Sequence, residues 1–248
     1  MDEDYCSMKS VDLTSGPNIS VWQYAPDCSI GQIHEGEIHI WQADLLLDGQ
    51  EAYWNTLSAD EKERANRFHF ERDRRRYIVA RGSLRKLLGG YLDCEPGSLQ
   101  FAYGAQGKPF LASWLDVPNL HFNVTHSVDS ALLAFAHQEI GIDIEAVSEH
   151  VDVELIAPGV FSPSELAQWQ ALPASEKRSS FFSLWTRKEA LVKALGRGIG
   201  YPLTEVSVNF SSCSASQITL VRQLYVEAAA RSIWEIPVAA DFRAAIAI

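Results

Sequence analysis

The sequence predicts an α+β fold built from two similar halves. The first observation is an order of elements that occurs twice along the chain: a strand, then helices, then several strands. The second is the composition, because 47% hydrophobic residues among 248 supply a sizeable core and exclude a disordered or collagen-like chain. We place the break between the halves near residue 139. The halves are therefore expected at residues 36–138 and 139–248, after a loosely structured lead-in of residues 1–35.

The first half begins with a strand and continues with helices. Residues 37–43 alternate between apolar and polar side chains, as a half-buried strand does. Ser58 and Glu61 have the spacing of a capping box that opens a helix, and the apolar stripe that follows ends at Gly89 and Gly90. Shorter strands are expected around residues 99–103, 109–111, 121–124 and 131–136.

The second half repeats this order. Residues 140–145 have the pattern of a strand. Ser162, Pro163 and Glu165 combine an N-cap, a proline at the first helical position and a capping glutamate. A long helix is expected over residues 179–195, where Gly196 ends it. The chain closes with strands around residues 206–209, 218–221, 233–238 and 242–248.

Charge and composition exclude several classes of protein. The net charge of −11 argues against general binding to nucleic acid or to an anionic membrane. No apolar run approaches the roughly 18 residues that a membrane-spanning helix needs, and the acidic N-terminus is unlike a signal peptide. The four cysteines have no metal-ligand spacing, so we expect reduced thiols in a cytoplasmic protein.

One segment is strongly basic although the chain is acidic. Residues 62–86 hold ten of the 21 basic side chains and only three acidic ones, which gives this segment a net charge of +7 and the remainder −18. Such a basic segment indicates a discrete anionic ligand or an acidic partner. A solvated, salt-bridged helix face is the alternative that the pattern leaves open.

Two acidic residues lie in the predicted strand at 140–145. Because successive side chains of a strand alternate between faces, Asp143 and Glu145 point the same way, and Ile142 and Ile144 point the other way. Two neighbouring carboxylates repel each other unless a cation lies between them, and Mg²⁺ takes one or two carboxylates together with phosphate oxygens. The alternative is the polar, solvent-facing side of an amphipathic strand.

The long second-half helix carries another candidate group. Trp185, Glu189 and Lys193 are spaced four residues apart, so they share one helix face. A surface salt bridge between Glu189 and Lys193 is one interpretation. The indole on the same face favours an inward-facing stripe, where an acid and a lysine suggest a functional role.

Two further segments have polar groups that suit phosphate. Gly104 to Pro109 forms a glycine-bearing turn with one lysine, Lys108, and its spacing is wrong for a Walker loop. Residues 123–127 place amide, hydroxyl and imidazole groups at the end of a strand. An ordinary turn explains each segment as well as an anion site does.

The order of these segments resembles the 4′-phosphopantetheinyl transferases, specifically the large, single-chain, surfactin-synthetase-activating type. The resemblance covers roughly residues 37–200. Strand-Asp-x-Glu together with Trp-x-x-Lys-Glu-x-x-x-Lys is its most specific part. The motifs that carry it are Arg76 on a basic helix, Gly107-Lys108-Pro109, Phe122 to Ser127, Gly141 to Glu145, and Trp185 to Lys193.

The resemblance implies two pseudo-symmetric α+β halves, each a small antiparallel sheet packed with helices, with the active site in the cleft between them. It also implies transfer of the phosphopantetheine arm from coenzyme A to a serine hydroxyl of an apo acyl or peptidyl carrier protein, with 3′,5′-ADP as the other product. Fatty-acid, polyketide and non-ribosomal peptide carriers all fit. A monomer suffices, because one chain contains both halves.

Site residues follow from the matching motif positions. Asp143, Glu145 and Glu189 are implied as the ligands of Mg²⁺, with Mn²⁺ as the alternative ion. The resemblance makes Glu189, or a water that it orients, the acceptor of the serine proton. Lys193 is implied to contact the pyrophosphate, and Lys188 to assist it.

Coenzyme A needs further partners for its phosphates. The resemblance implies Arg76 and His126 for the 3′-phosphate, joined by Arg64. Lys108 is expected beside the adenine nucleotide. A phosphate is expected to accept a hydrogen bond from the hydroxyl of Thr125 or Ser127.

The chain departs from the family pattern at two positions. Some members carry two basic residues on the first helix, where this chain has Glu61 and Arg64, and Thr125 stands where serine is frequent. Two other hypotheses stay open: a Mg²⁺-dependent nucleotide-binding transferase with a small-molecule acceptor, and a family member that binds coenzyme A without turnover. A nucleic-acid-binding module is disfavoured by the charge of −18 outside the basic segment.

Overall fold

A computed structural model describes residues 8–11, 17–112, 120–198, 200–208, 218–220 and 231–248. These residues form helices and mostly antiparallel strands, so the predicted α+β class is confirmed. None of the helices in the described part of the chain has both the length and the apolar character needed to cross a membrane.

The described residues of the first half form seven strands and three α-helices. Its sheet has the order β1-β2-β3-β7-β6, and β4 and β5 form a separate two-stranded sheet. The elements are β1 (Met8–Val11), β2 (Asn18–Gln23), β3 (Glu37–Asp44), α1 (Gln50–Trp54), α2 (Ala59–Asn66), α3 (Glu71–Tyr91), β4 (Phe101–Tyr103), β5 (Pro109–Leu111), β6 (His121–Ser127) and β7 (Ser130–Ala136).

The second half contains five described strands and three helices. Its main sheet has the order β11-β12-β8, and β9 and β10 form a second two-stranded sheet. The elements are β8 (Gly141–Ala146), α4 (Val153–Val160), α5 (Pro163–Gln170), α6 (Ala174–Leu195), β9 (Val206–Val208), β10 (Ile218–Leu220), β11 (Ile233–Glu235) and β12 (Phe242–Ala247).

The two halves share one topology. From β3 and from β8 the chain runs through two short helices, one long helix, a two-stranded sheet and two more strands. In the first half the final strand, β7, lies between β3 and β6 and pairs with both. In the second half the final strand, β12, lies between β8 and β11 in the same way. The predicted relation between the halves is therefore visible in the strand order.

Apolar side chains form three buried clusters. One lies between the five-stranded sheet and α3, and another lies inside the second half around α6. The third joins the halves: Ile38, Ile40 and Leu132 from the first sheet pack with Ile142 and Ile144 from β8. Neither half therefore contains a core of its own on this face of its sheet.

Polar side chains of β6 hold the edge of β8. The backbone amide of Ile142 donates to Asn123 Oδ1 at 2.9 Å, and that of Ala146 donates to Ser127 Oγ at 3.0 Å. Between them the amide of Ile144 lies 3.4 Å from its acceptor, Thr125 Oγ1. These three side chains, which we call the junction ladder, replace backbone pairing between the two main sheets.

Gly141 permits α6 to approach the start of β8. A Cβ at this position would lie 2.1 Å from the carbonyl oxygen of Ala190 and 2.2 Å from the amide nitrogen of Ala194. Any side chain would therefore push α6 away from β8. This contact brings the Glu189 and Lys193 end of α6 to the acidic strand.

The expectation of a loosely structured lead-in at residues 1–35 is wrong for residues 18–23, which form β2. β2 lies within the sheet between β1 and β3, and the side chains of Ile19 and Val21 are buried. β2 pairs with β3 in parallel, so this sheet is mixed and not purely antiparallel. Residues 1–7 and 12–16, and the expected strand positions 209 and 221, lie outside the described residues.

The cysteines also depart in part from the expectation of reduced thiols. Cys28 is disulfide-bonded, whereas Cys94 is a free thiol. Cys6 and Cys213 lie outside the described residues. The reduced state is therefore wrong for Cys28.

Candidate active site

Asp143 and Lys193 meet where α6 crosses β8. The Lys193 ammonium lies 2.5 Å from Asp143 Oδ1 and donates to Thr125 Oγ1 at 3.1 Å. Asp143 is only 3% exposed, and its second oxygen, Oδ2, is buried without a hydrogen-bond partner. A buried carboxylate oxygen without a partner is costly unless a ligand supplies one.

Glu145 and Glu189 lie close enough to Asp143 to respond to its charge. Partial burial, and then the negative charge of Asp143, raise the pKa of both glutamates above their ordinary range. Burial raises the pKa of Asp143 as well, against the opposing effects of Lys193 and Thr125. The three acids therefore form one crowded group in which each carboxylate favours a nearby cation.

The donor set fits a hard cation, although no three-acid centre is preformed. Among the described residues, no three His, Cys, Asp or Glu side chains are arranged to hold a metal ion, and Lys193 lies against Asp143. However, Mg²⁺ takes only one or two carboxylates from a protein when phosphate oxygens complete its shell. The unpartnered Asp143 Oδ2 and the neighbouring Glu145 meet that requirement chemically.

A cavity of about 720 Å³ opens beside the junction ladder. Its walls come from α3, the segment before it, the β4–β5 turn and the end of β6. It brings together four residues that sequence reasoning assigned to coenzyme A: Arg64, Arg76, His126 and Ser127.

The cationic residues of this cavity differ in their partners. Arg76 is held by Asp129, with Nη2 to Oδ1 at 2.6 Å, and by Asp73 at 3.3 Å. The guanidinium of Arg64 lies over the ring of Tyr77 at 5.4 Å. The pKa of His126 is lowered by partial burial and by the charges of Lys193 and Arg76.

The cavity and the acidic group are joined by hydroxyl side chains. Ser127 lines the cavity and donates to Glu145 Oε2 at 3.1 Å. Thr125 donates to Asp143 Oδ1 at 3.1 Å. Both hydroxyls are engaged within the junction, so a phosphate contact would require them to exchange partners.

Lys188 corrects one expectation. Its side chain is fully buried, and its ammonium donates to the carbonyl oxygens of Val160, Leu203 and Val206 at 3.0, 2.7 and 2.7 Å. It also forms an ion pair with Glu165 at 2.6 Å. The prediction that Lys188 contacts coenzyme A is wrong, because the ammonium is closed inside the second-half core.

Lys108 is also occupied by protein groups. Its ammonium donates to the carbonyl oxygens of Ile140 and Lys193, each at 3.0 Å, and pairs with Glu139 at 3.2 Å. It therefore ties the β4–β5 turn to the chain between the halves and to the end of α6. The expected contact with the adenine nucleotide stays a prediction.

Sequence reasoning missed several residues of this region. The ion pairs of Glu61 were missed: this buried acid pairs with Arg81 at 2.7 Å and with Arg85 at 2.6 Å. Asp129 was missed as the partner of Arg76, and no local signal indicates it. The alternation of polar side chains at positions 123, 125 and 127 was a signal for the junction ladder.

Comparisons with known proteins identify the family of this chain. Residues 139–247 match the family model described as 4′-phosphopantetheinyl transferase superfamily, and residues 48–138 match the model of a 4′-phosphopantetheinyl transferase N-terminal region. The chain is 42% identical over 177 residues to the 4′-phosphopantetheinyl transferase HetI of Nostoc sp., which covers 69% of this chain and 73% of that protein.

A more distant relative of known family and a solved structure of low similarity also match. The 4′-phosphopantetheinyl transferase Sfp of Bacillus subtilis is 30% identical over 164 residues, with 66% of this chain and 71% of that protein covered. The crystal structure of Helicobacter pylori holo-[acyl-carrier-protein] synthase in complex with coenzyme A is 26% identical, covers 44% of this chain and 97% of that chain, and has a TM-score of 0.34. The resemblance seen in the sequence motifs is confirmed: the chain belongs to the 4′-phosphopantetheinyl transferase superfamily.

Proposed function

We propose that this enzyme moves the 4′-phosphopantetheine arm of coenzyme A onto a serine hydroxyl of an apo acyl or peptidyl carrier protein and releases 3′,5′-ADP. Membership of the family establishes the enzyme class. The observation that carries the proposal is the acidic group of Asp143, Glu145 and Glu189, with Lys193 among them, beside a cavity lined by arginines.

The reaction forms one bond and breaks one. The serine oxygen bonds to the phosphorus that carries the pantetheine arm, and the bond from that phosphorus to the oxygen bridging the pyrophosphate breaks. The electron pair leaves with the adenine nucleotide as 3′,5′-ADP, and the serine proton must be taken up. Positioning and charge neutralisation dominate the rate of such a transfer.

Glu189 is the residue that we propose as the proton acceptor. It lies on the inward face of α6, and burial and the charge of Asp143 raise its pKa. A carboxylate with a raised pKa is a stronger base than an exposed one. Lys193, with a side chain 29% exposed, is placed to turn from Asp143 to the pyrophosphate and to balance the departing charge.

Asp143, Glu145 and Glu189 are the residues that would hold Mg²⁺ or Mn²⁺. When bound, such an ion supplies a Lewis acid and a template for pyrophosphate oxygens. The protein's own part is to hold the three carboxylates close together and to keep Lys193 beside them.

The cavity is proposed as the site for the nucleotide half of coenzyme A. Arg76 and His126 serve the 3′-phosphate, and Arg64 adds a third positive group. Arginine suits a phosphate because its planar fork donates two hydrogen bonds. The hydroxyls of Thr125 and Ser127 adjoin the path from this cavity to the acidic group.

The partner and setting follow from the same proposal. Carrier proteins are acidic around the modified serine, and we propose that the exposed Arg64, Arg67 and Arg72 of the basic segment at residues 62–86 give them a complementary surface. The cytoplasmic location expected from the sequence stays a prediction. The enzyme would act as a monomer, because both halves of the site come from one chain.

A panel of purified apo-carriers tests this function. Each carrier is incubated with coenzyme A and Mg²⁺, and its intact mass is measured. We expect at least one carrier to gain one phosphopantetheine arm, while its variant with alanine at the modified serine gains none. If no carrier gains the arm but the enzyme binds coenzyme A, the transfer function is wrong and a binding protein remains.

A further inference from the structure

Val128 has a backbone conformation that its side chain disfavours. Its φ is 53°, and it is one of two non-glycine residues with positive φ in the described part of the chain; the other is Asp93. Asp tolerates this region, whereas a β-branched residue there is strained. Val128 and Asp129 form the two-residue connection from β6 to β7, and such turns favour Gly, Asn or Asp at the positions with positive φ.

Burial does not explain why valine occupies this position. Its side chain is 52% exposed, and it belongs to none of the three apolar clusters. Strain of this kind persists when surrounding contacts fix it, and it is concentrated at functional sites. We therefore ask which surface the exposed Val128 side chain faces.

That surface is the rim of the 720 Å³ cavity. Val128 lines it together with Phe68 and Tyr103, which are 37% and 44% exposed. Three of the exposed large apolar side chains in the described residues thus converge on one cavity from three separate segments. Arg64 and Arg76 line the same cavity.

The turn is fixed on both sides by groups of the site. Before it, Ser127 donates to Glu145. After it, Asp129 accepts hydrogen bonds from Arg76 Nε at 2.8 Å and Nη2 at 2.6 Å. The position of the Val128 side chain is therefore tied to the acidic group and to the arginine of the cavity.

We propose that Val128 helps to bind the donor: with Phe68 and Tyr103 it forms an apolar wall against which the purine ring of the donor packs. The proposal rests on the proposed function and adds the place of the nucleobase. A purine presents flat apolar faces, and its attached phosphates need cations close by. A wall of apolar side chains next to two arginines matches both parts of that ligand.

Binding measurements on Val128→Gly and Val128→Asn test the wall. Both substitutions suit positive φ, so we expect the melting temperature of the free enzyme to stay level or to rise by about 2–4 °C. We expect the Kd for coenzyme A to rise about five- to tenfold through the lost apolar contact. The Kd for dephospho-coenzyme A should rise by the same factor, because the wall does not contact the 3′-phosphate.

Leu155→Ala is the matched control, because Leu155 is exposed on α4 and does not line the cavity. It should leave both Kd values unchanged. Unchanged binding in the Val128 variants would overturn the proposal. So would weaker binding of coenzyme A with unchanged binding of dephospho-coenzyme A, or a lowered melting temperature. Because titration calorimetry needs no acceptor protein, failure of the wall and failure of carrier transfer are separate results.

Discussion

Two lysines on α6, five residues apart, have opposite surroundings. Lys188 is enclosed by three carbonyl oxygens and the carboxylate of Glu165, which we call the closed cluster. Lys193 lies at the edge of the acidic group, where Asp143 Oδ2 has no hydrogen-bond partner; we call this group with Lys193 the open cluster. The difference separates a charge that holds the fold from a charge that is available to a ligand.

Saturation of hydrogen bonds is the physical criterion behind this difference. In the closed cluster every proton of the Lys188 ammonium has an acceptor. These hydrogen bonds compensate for the cost of burying the charge, and no proton remains for a ligand. In the open cluster, burial and mutual repulsion raise the pKa of the acids. Perturbed carboxylates beside a cavity are typical of active sites.

The strongest test of the open cluster is Glu189→Gln, which keeps the shape and removes the base. We expect the rate of carrier modification to fall about 10²–10⁴-fold, the usual contribution of a general base. The affinity for coenzyme A measured without Mg²⁺ and the melting temperature should change little. Single-turnover assays followed by intact mass give the rate.

Glu149→Gln is the control for this variant, because Glu149 is an exposed acid that pairs with Arg178. It should retain full activity. A loss of less than tenfold in Glu189→Gln would remove Glu189 from the role of proton acceptor.

The closed cluster is tested by Lys188→Met. Removing one partner of a buried ion pair leaves the Glu165 carboxylate without its cation and three carbonyl oxygens without this donor, so we expect a loss of about 3–5 kcal/mol in the free energy of unfolding. Urea denaturation measures it. The fraction that remains folded should keep its coenzyme A affinity.

Lys177→Met is the control, since Lys177 forms a partly exposed pair with Glu154 and lies over the ring of Trp169. It should cost no more than about 1 kcal/mol. If Lys188→Met instead weakened coenzyme A binding without loss of stability, the distinction between the two clusters would fail.

Arg76 lies between these extremes, because it is paired with two acids and yet lines the cavity. We expect Arg76→Ala to weaken coenzyme A binding about 10–100-fold, the range for a hydrogen bond to a charged group. The affinity of Arg76→Ala for dephospho-coenzyme A should fall much less. Arg75→Ala is the control, because Arg75 contacts Asp48 and the carbonyl oxygen of Leu47 outside the cavity. If Arg76→Ala weakened the binding of both donors equally, Arg76 would not contact the 3′-phosphate.

The smallest expected effect concerns His126 and pH. Its pKa in the folded enzyme lies below the ordinary 6.5, so the unfolded chain binds the proton more tightly. Stability is therefore lost as pH falls below 6.5. The melting temperature of the wild type should fall more on acidification than that of His126→Gln.

Coenzyme A should reverse this trend at His126. A bound phosphate favours the imidazolium, so binding takes up a proton and strengthens as pH falls. Calorimetry in buffers of different ionisation enthalpy measures the uptake. Equal uptake in His126→Gln would show that another group titrates.

Local patterns predicted much of the fold. The strand expected at residues 37–43 is β3, the capping box at Ser58 opens α2, and the helix expected at 179–195 lies within α6. The short helices α1 and α4 were missed. β2 was missed because its place depends on parallel pairing with β3, a tertiary contact that no local pattern records.

The site was predictable in its composition but not in its connections. The motifs identified the acids, and strand alternation put Asp143 and Glu145 on one face. Whether Lys188 reaches solvent depends on the packing of α4, α5 and β9 around it, which sequence spacing does not reveal. Arg76 and Asp129 lie 53 positions apart, so sequence spacing does not reveal their pairing either.

The distance between the two halves is set by the three side chains of the junction ladder. Paired backbones stand at a fixed spacing of about 4.8 Å whatever residues they carry. Here the lengths of one carboxamide and two hydroxyl side chains set how far β8 stands from β6. A point change at Asn123, Thr125 or Ser127 could thus widen or narrow the passage to the acids while each sheet keeps its own register.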